Sequence, residues 1–270
     1  MASNRLNTHS LLWKIDHPDN TKTSYVYGTI HLLCESDFEI KKKVASAFDS
    51  CEMLVMELNL GDSQELQKLN ELNYSEQTLS SQLSDEEQHE LDYILRSQYN
   101  SSLPEMDGLA PVMIINAMIN KAITCDAQKI YEMEFLALAQ KRQMHVAALE
   151  SAEEQIAIAK KIYTASEIVR QLREGDSYPD IFENMVEAYK NEDLLQLMNL
   201  VADRRFMSQE AEDTMVIDRN HLWCRRMPAM MQQRSVFFAV GAGHLPGENG
   251  LLKLLSDRGF VLSAVEPVIH

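Results

Sequence analysis

Apolar residues gather in short blocks near the two ends of the chain and recur at helical spacing through its middle. The blocks LLWKI (11–15) and SYVYGTI (24–30) read as strands separated by the polar turn HPDNTKT (17–23). MLVMELN (53–59) reads as a short buried strand and HVAALE (145–150) as another. SVFFAV (235–240) and FVLSAV (260–265) are closing strands around a glycine turn and a helix over 249–258. Between these blocks the periodicity is helical, over 62–129, 131–143 and 151–233, with breaks expected near Gly175 and Pro179. Three stretches fit capping boxes: Ser36 to Glu39, opening a helix to about Ser50, Ser84 to Glu87, and Ser151 to Glu154. Pro111 suits the first turn of an apolar helix reaching about Thr124. Residues from Met1 to about Ser10 are polar and read as loose chain.

Strand–helix alternation at both ends predicts an α/β fold with a mixed central β-sheet. Its two ends are pseudo-related strand–GxxH–helix units, and the long helical stretches read as insertions, about 62–143 and 151–233, in a single domain over 1–270. At 270 residues and 45% hydrophobic, the chain can bury a core without disulfides or a structural metal. Only 9 Gly and 7 Pro argue against a turn-rich β-sandwich, while 15 Met favour helices.

Charge narrows the partners. A net charge of −16 repels phosphates and anionic lipid, and the basic clusters Lys41–Lys43 and Arg225–Arg226 are short and set among acids, so nucleic acid is excluded. Cys34, Cys51, Cys125 and Cys224 form no CxxC pair, which argues against a cysteine zinc knuckle. His221 and Cys224 have ligand spacing on a helix, but the adjoining arginines disfavour a cation there. MASNRLNTHS lacks the apolar core of a signal peptide, and runs such as Ala110–Ile115 and Val236–Val240 are too short to span a bilayer. The expectation is a cytoplasmic protein with reduced thiols and no membrane segment.

Candidate chemistry comes from two matched segments, VYGTIHL (26–32) and AVGAGHL (239–245). Each is an apolar strand running into G-x-x-H-L. Gly28 and Gly241 let the backbone turn or approach a ligand, and His31 and His244 are delivered at carboxyl ends of strands, where open α/β sheets place their ligands. One GxxH carries little weight; two, each directly behind a buried-type strand, carry more. Glu57 lies within an apolar strand, so it must be paired, metal-bound or neutral. Glu150 stands where a strand ends and a helix begins, and Asp218-Arg219-Asn220 precedes Trp223 within the helical stretch near the C-terminus. For the single residues a salt bridge, a cap or a hydrogen-bonded core histidine remains the competing reading. Two neutral imidazoles with one or two carboxylates suit a borderline divalent ion such as Zn²⁺, Mn²⁺, Co²⁺ or Fe²⁺.

YGTIHL, VMELNL, ALE-SAEEQ, DRNHLW and VGAGHLPGENGLLKLL-RGF together resemble the TraB/PrgY/GumN family, which includes TIKI-type proteases. The likeness runs in order from about Leu11 to Val265. It implies a divalent-metal-dependent hydrolase, peptidase-like in the TIKI branch, with a fold distantly related to erythromycin esterase-like and ChaN-like proteins. It also implies that His31, His244 and Glu57 bind Mn²⁺, Co²⁺ or Zn²⁺, that Glu57, Glu150 and Arg219 are catalytic, and that Gly28, Asn220 and Gly241 contact a peptide or small-molecule substrate. Glu150 would be the base or a further ligand. The chain departs from the family pattern G-[IV]-D-x-x-[FL] at 130–135, where IYEMEF keeps an acid, Glu132, but not the glycine. Two alternatives stand beside this expectation. One is a metal-free esterase-like hydrolase in which a His/Glu pair activates water; the other is a non-catalytic peptide- or haem-binding protein.

Overall fold

A computed structural model describes residues 9–16, 22–174 and 178–266. Most of the loose N-terminal stretch, the turn at 17–21 and the break expected near Gly175 lie outside them. Eight strands form among the described residues: β1 (Leu12–Asp16), β2 (Ser24–Thr29), β3 (Leu32–Cys34), β4 (Met53–Met56), β5 (Gln128–Ile130), β6 (His145–Ala148), β7 (Val236–Gly241) and β8 (Val261–Ala264). Six of them make one mixed sheet in the order β6-β4-β7-β2-β1-β8. Strands β6, β4, β7 and β2 run parallel, whereas β1 is antiparallel to both β2 and β8. β7, with the sequence VFFAVG, is buried at every position, as a central parallel strand covered on both faces requires.

The parallel run aligns four carboxyl ends on one edge. Thr29 is level with Gly241 across β2 and β7, and Met56 with both Ala239 and Ala148. Backbone pairing continues past the strand ends, with the Leu149 N–H donating to the Met56 carbonyl at 2.9 Å and the Glu150 N–H to the Glu57 carbonyl at 3.0 Å. Glu57 therefore follows its strand rather than sitting within it, because β4 closes at Met56.

Helices pack on the sheet through aromatic side chains. Phe237 of β7 meets Phe135 at 5.1 Å and Phe48 at 5.3 Å between ring centroids. A second apolar cluster, including Leu91, Ile94, Ile114, Met118, Ile168 and Leu172, joins the Asp85–Gln98, Pro111–Ala122 and Ala165–Leu172 helices. The capping boxes at Ser84/Glu87 and Ser151/Glu154 form, and Pro111 occupies the first turn of the Pro111–Ala122 helix. The box expected at Ser36 does not. Asp37 and Phe38 donate instead to the Cys34 and Glu35 carbonyls in a turn, and the helix begins at Lys42.

That turn is fixed by a ribbon absent from the sequence expectations. β3 pairs antiparallel with β5, and Cys34 is disulfide-bonded to Cys125 with Cα atoms 5.8 Å apart. This corrects the expectation of reduced thiols throughout. Such bonds persist in oxidising compartments and are rare in cytosol, so the cysteines no longer favour a cytoplasmic setting. Cys51 and Cys224 are free and buried. Among the described residues, no helix is long and apolar enough to cross a membrane.

Candidate active site

The aligned strand ends bring His31, Glu57, Glu150 and the turn Ala242–His244 to one edge of the sheet, beside the Asp218–Gln233 helix. Gly241 marks the centre. A Cβ placed there would lie 3.3 Å from Glu57 Oε1, 3.4 Å from His244 Cδ2 and 3.5 Å from His31 Nε2. Its bare backbone thus leaves open the space around which these side chains gather, and its N–H donates to Glu57 Oε1 at 2.7 Å.

Glu57 is 8% exposed. Burial works against its charge, but the Arg219 guanidinium, His244, His31 and the Gly241 N–H outweigh it and hold the carboxyl down to about 2. Arg219 is clamped between two acids. Its Nη2 donates to Glu57 Oε2 at 2.6 Å and Glu150 Oε2 at 2.9 Å, and its Nε to Glu150 Oε1 at 3.0 Å. The Glu150 side chain is fully enclosed by this pairing. A π-helical turn at Asp213–Ile217 precedes Arg219, and the Met215 carbonyl accepts from its Nη1 at 3.2 Å. Trp223, one turn on, lies beneath both groups, with its ring 4.7 Å from the guanidinium carbon and 4.3 Å from the His244 ring.

His244 is held by Asn220. The amide Nδ2 donates to two carbonyls, Asn249 at 2.8 Å and His244 itself at 3.3 Å, so Oδ1 must be the acceptor facing His244 Nδ1 at 2.7 Å. The His244 proton is thereby assigned to Nδ1, leaving the Nε2 lone pair to accept from Arg219 Nη1 at 3.5 Å, with Glu57 Oε1 3.9 Å away. Burial, reinforced by Arg219 and His31 against the pull of Glu57, keeps the ring neutral and lowers it to about 3.

His31 has the opposite environment. Crowding by the surrounding groups disfavours its charged form although the side chain is 64% exposed, but a hydrogen bond from Nδ1 to Glu132 Oε1 at 2.8 Å and the negative charge of Glu132 and Glu57 raise it to about 9. The same Glu132 oxygen accepts from Thr29 Oγ1 at 2.8 Å, while Oε2 is buried without a hydrogen-bond partner among the described residues. Glu132 was visible in the sequence only as the acid kept in IYEMEF. Its place in the first turn of the Tyr131–Lys141 helix gives it to the site.

The remaining expected residues fall outside the pocket wall. Asn220 is 1% exposed and is hydrogen-bonded to His244 Nδ1. Gly28 lies where a Cβ would be 2.9 Å from both Ala242 Cα and Leu245 Cδ1. It permits β2 to pack against the second GxxH turn. Beside the site opens a cavity of about 350 Å³, lined by His31, Glu57, Glu132, Gln155, Tyr163 and Arg219.

The donor types are those of a borderline divalent ion, two imidazoles whose Nδ1 atoms are engaged elsewhere and an ionised carboxylate, provided that His31, raised to about 9, gives up its Nε2 proton to the incoming cation. Among the described residues, no group of three or more His, Cys, Asp or Glu side chains is arranged closely enough to hold an ion as it stands. Arg219 supplies the positive charge beside Glu57 and Glu150 instead.

Comparison with known proteins speaks to the chain as a whole rather than to single residues. Metalloprotease TIKI2 of Danio rerio is 20% identical over 322 aligned positions, which cover 96% of this chain and 61% of that protein. The chain thus spans less than two-thirds of that relative's length. No solved structure matches. A family model matches residues 11–264, from the first strand to the last, and the chain belongs to the TraB/PrgY/gumN family.

Proposed function

We propose that the chain is a divalent-metal-dependent hydrolase of peptide bonds, built as one domain whose helical insertions cover a sheet of ChaN/erythromycin esterase-like kinship. The observation that carries the reading is the gathering of His31 Nε2, Glu57 Oε1 and His244 around bare Gly241. Mn²⁺, Co²⁺ or Zn²⁺ held by these residues would activate a water and polarise a carbonyl. Glu132 and Asn220 fix the two imidazoles through their Nδ1 atoms. Held near 2, Glu57 is too weak a base to draw a proton efficiently at neutral pH, so it serves as a ligand. Arg219 places a permanent positive charge beside the reacting carbonyl, and Glu150 anchors Arg219 rather than acting as base.

One observation favours the metal-free reading. An imidazolium raised to about 9 sits at the mouth of the site, where it could donate a proton to a leaving amine. Metal content, measured by mass spectrometry on protein purified without a His-tag or chelator, separates the two. Mn²⁺, Co²⁺ and Zn²⁺ are then titrated into chelator-treated wild type, His31→Ala and His244→Ala. Stoichiometric binding lost in both variants supports the proposal. Equal binding in all three proteins, or peptide hydrolysis unchanged in excess chelator, sinks it.

A further inference from the structure

A second cavity of about 340 Å³ opens from the same place, and His31, Tyr163 and Met215 line both. Its walls are aliphatic, aromatic and thioether groups, among them Ile115, Ile181, Phe182 and Phe206. Its polar members are occupied. The Gln171 amide donates to Glu167 Oε1 at 2.8 Å and to the Phe206 carbonyl at 3.1 Å, and accepts from the Tyr178 hydroxyl at 3.2 Å. At the junction, the Tyr163 hydroxyl reaches the Met215 sulfur at 3.8 Å, a weak acceptor.

Protein interiors rarely leave voids much larger than a water, so an apolar space of this size beside a reacting centre is built to be filled. No unpaired charge on its wall would meet a charged occupant. The cavity begins at His31, so what enters it is attached next to the bond under attack. We propose that this cavity is the specificity pocket of the enzyme and takes a large apolar side chain, such as Phe, Leu or Met, flanking the scissile peptide bond. The methionines on its wall let it accept several such shapes. The assignment rests on the peptidase reading above, and its test has an arm that does not.

Capped peptides that differ only in one residue, Phe, Leu, Ala or Asp, are compared on wild type, Ile181→Trp and Ile181→Ala. Ile181 is half-buried and lines this cavity but not the one beside Glu57 and Arg219. Hydrolysis is followed as kcat/KM on metal-loaded protein, and binding by calorimetry in chelator, with dodecanoate as a competitor. Phe and Leu peptides should exceed the Ala peptide about ten-fold or more in kcat/KM and in affinity, with Asp lowest. I181W should abolish most of that preference, lowering kcat/KM for the Phe and Leu peptides toward the value for the Ala peptide. I181A, whose smaller side chain is the safeguard should I181W not fold, should shift preference from Leu toward Phe. An active wild type without preference, or a preference unchanged in the variants, overturns the pocket. Should no peptide be cleaved, the peptidase reading fails while binding still decides. Phe-peptide binding weakened by I181W supports the pocket, and equal binding of Phe and Ala peptides overturns it. Dodecanoate bound in place of any peptide preference would give the cavity to an alkyl chain and overturn the proposal.

Discussion

Asn220 and Glu132 each hold one imidazole, and their substitutions have different signatures. Asn220→Ala leaves His244 Nδ1 and two carbonyls without their partner in a site that is 1% exposed, so it should cost about 1–3 kcal/mol of stability. Metal affinity should fall about 10–100-fold, read by calorimetry. Stability lost with affinity intact would leave Asn220 a purely structural residue. Glu132→Gln bears on pH. The folded protein raises His31 from its ordinary 6.5 to about 9, so this pair stabilises fully below about 6.5 and its contribution fades as pH rises through about 9. Denaturant midpoints of wild type and E132Q in chelator should therefore differ most at the acidic side of that window and converge above it. A gap that widens with pH would show that the pair does not titrate as described. The histidines were legible in the sequence because each follows a buried-type strand. Glu132 was not, because an acid in a helix's first turn is ordinary dipole-compatible sequence, and only the fold turns this one toward Thr29 and His31.

The two GxxH elements use their glycines differently. Gly28→Ala forces a Cβ to 2.9 Å from the Ala242 backbone, a contact that cannot be relieved by a side-chain rotation. It should destabilise by about 1–3 kcal/mol and displace the His244 turn. Gly241→Ala meets side-chain atoms at 3.3–3.5 Å, which can give by a few tenths of an ångström. Its cost should appear chiefly as lost activity or metal binding, with the thermal midpoint near wild type. The β3–β5 ribbon adds a third element-level expectation. The Cys34–Cys125 bond spans 91 residues of sequence, so Cys34→Ser/Cys125→Ser should lower stability by up to ~4–5 kcal/mol in non-reducing denaturant. Insensitivity of the wild type to reductant would show that the bond is not formed in solution. The long buried strands could be read directly from apolar runs. The ribbon could not, since its strands are three residues each and its stability comes from a partner some 90 residues away. The Ser36 capping box was misread for the same reason: Cys34, fixed in the ribbon, commits the following residues to a turn.

At the scale of the whole molecule, the sheet order sets when structure can exist. The central strand β7 lies between β4 and β2, and its partners precede it by most of the chain, with Tyr25 paired to Phe237. Pairing over such sequence distances carries a loop-closure cost before any contact repays it, which places refolding among the slow topologies. A chain ending before Ser235 should lack cooperative unfolding and hydrogen-exchange protection in residues 24–29. Protection there would show that the N-terminal strands form a sheet without β7. The same topology has a meaning for synthesis. At roughly 5–20 residues per second, β2 leaves the ribosome some 10–40 seconds before the strand that will lie beside it. For that interval the edges of β2 and β4 that β7 will join have no neighbour between them, so the nascent chain carries open strand edges until its last quarter is made.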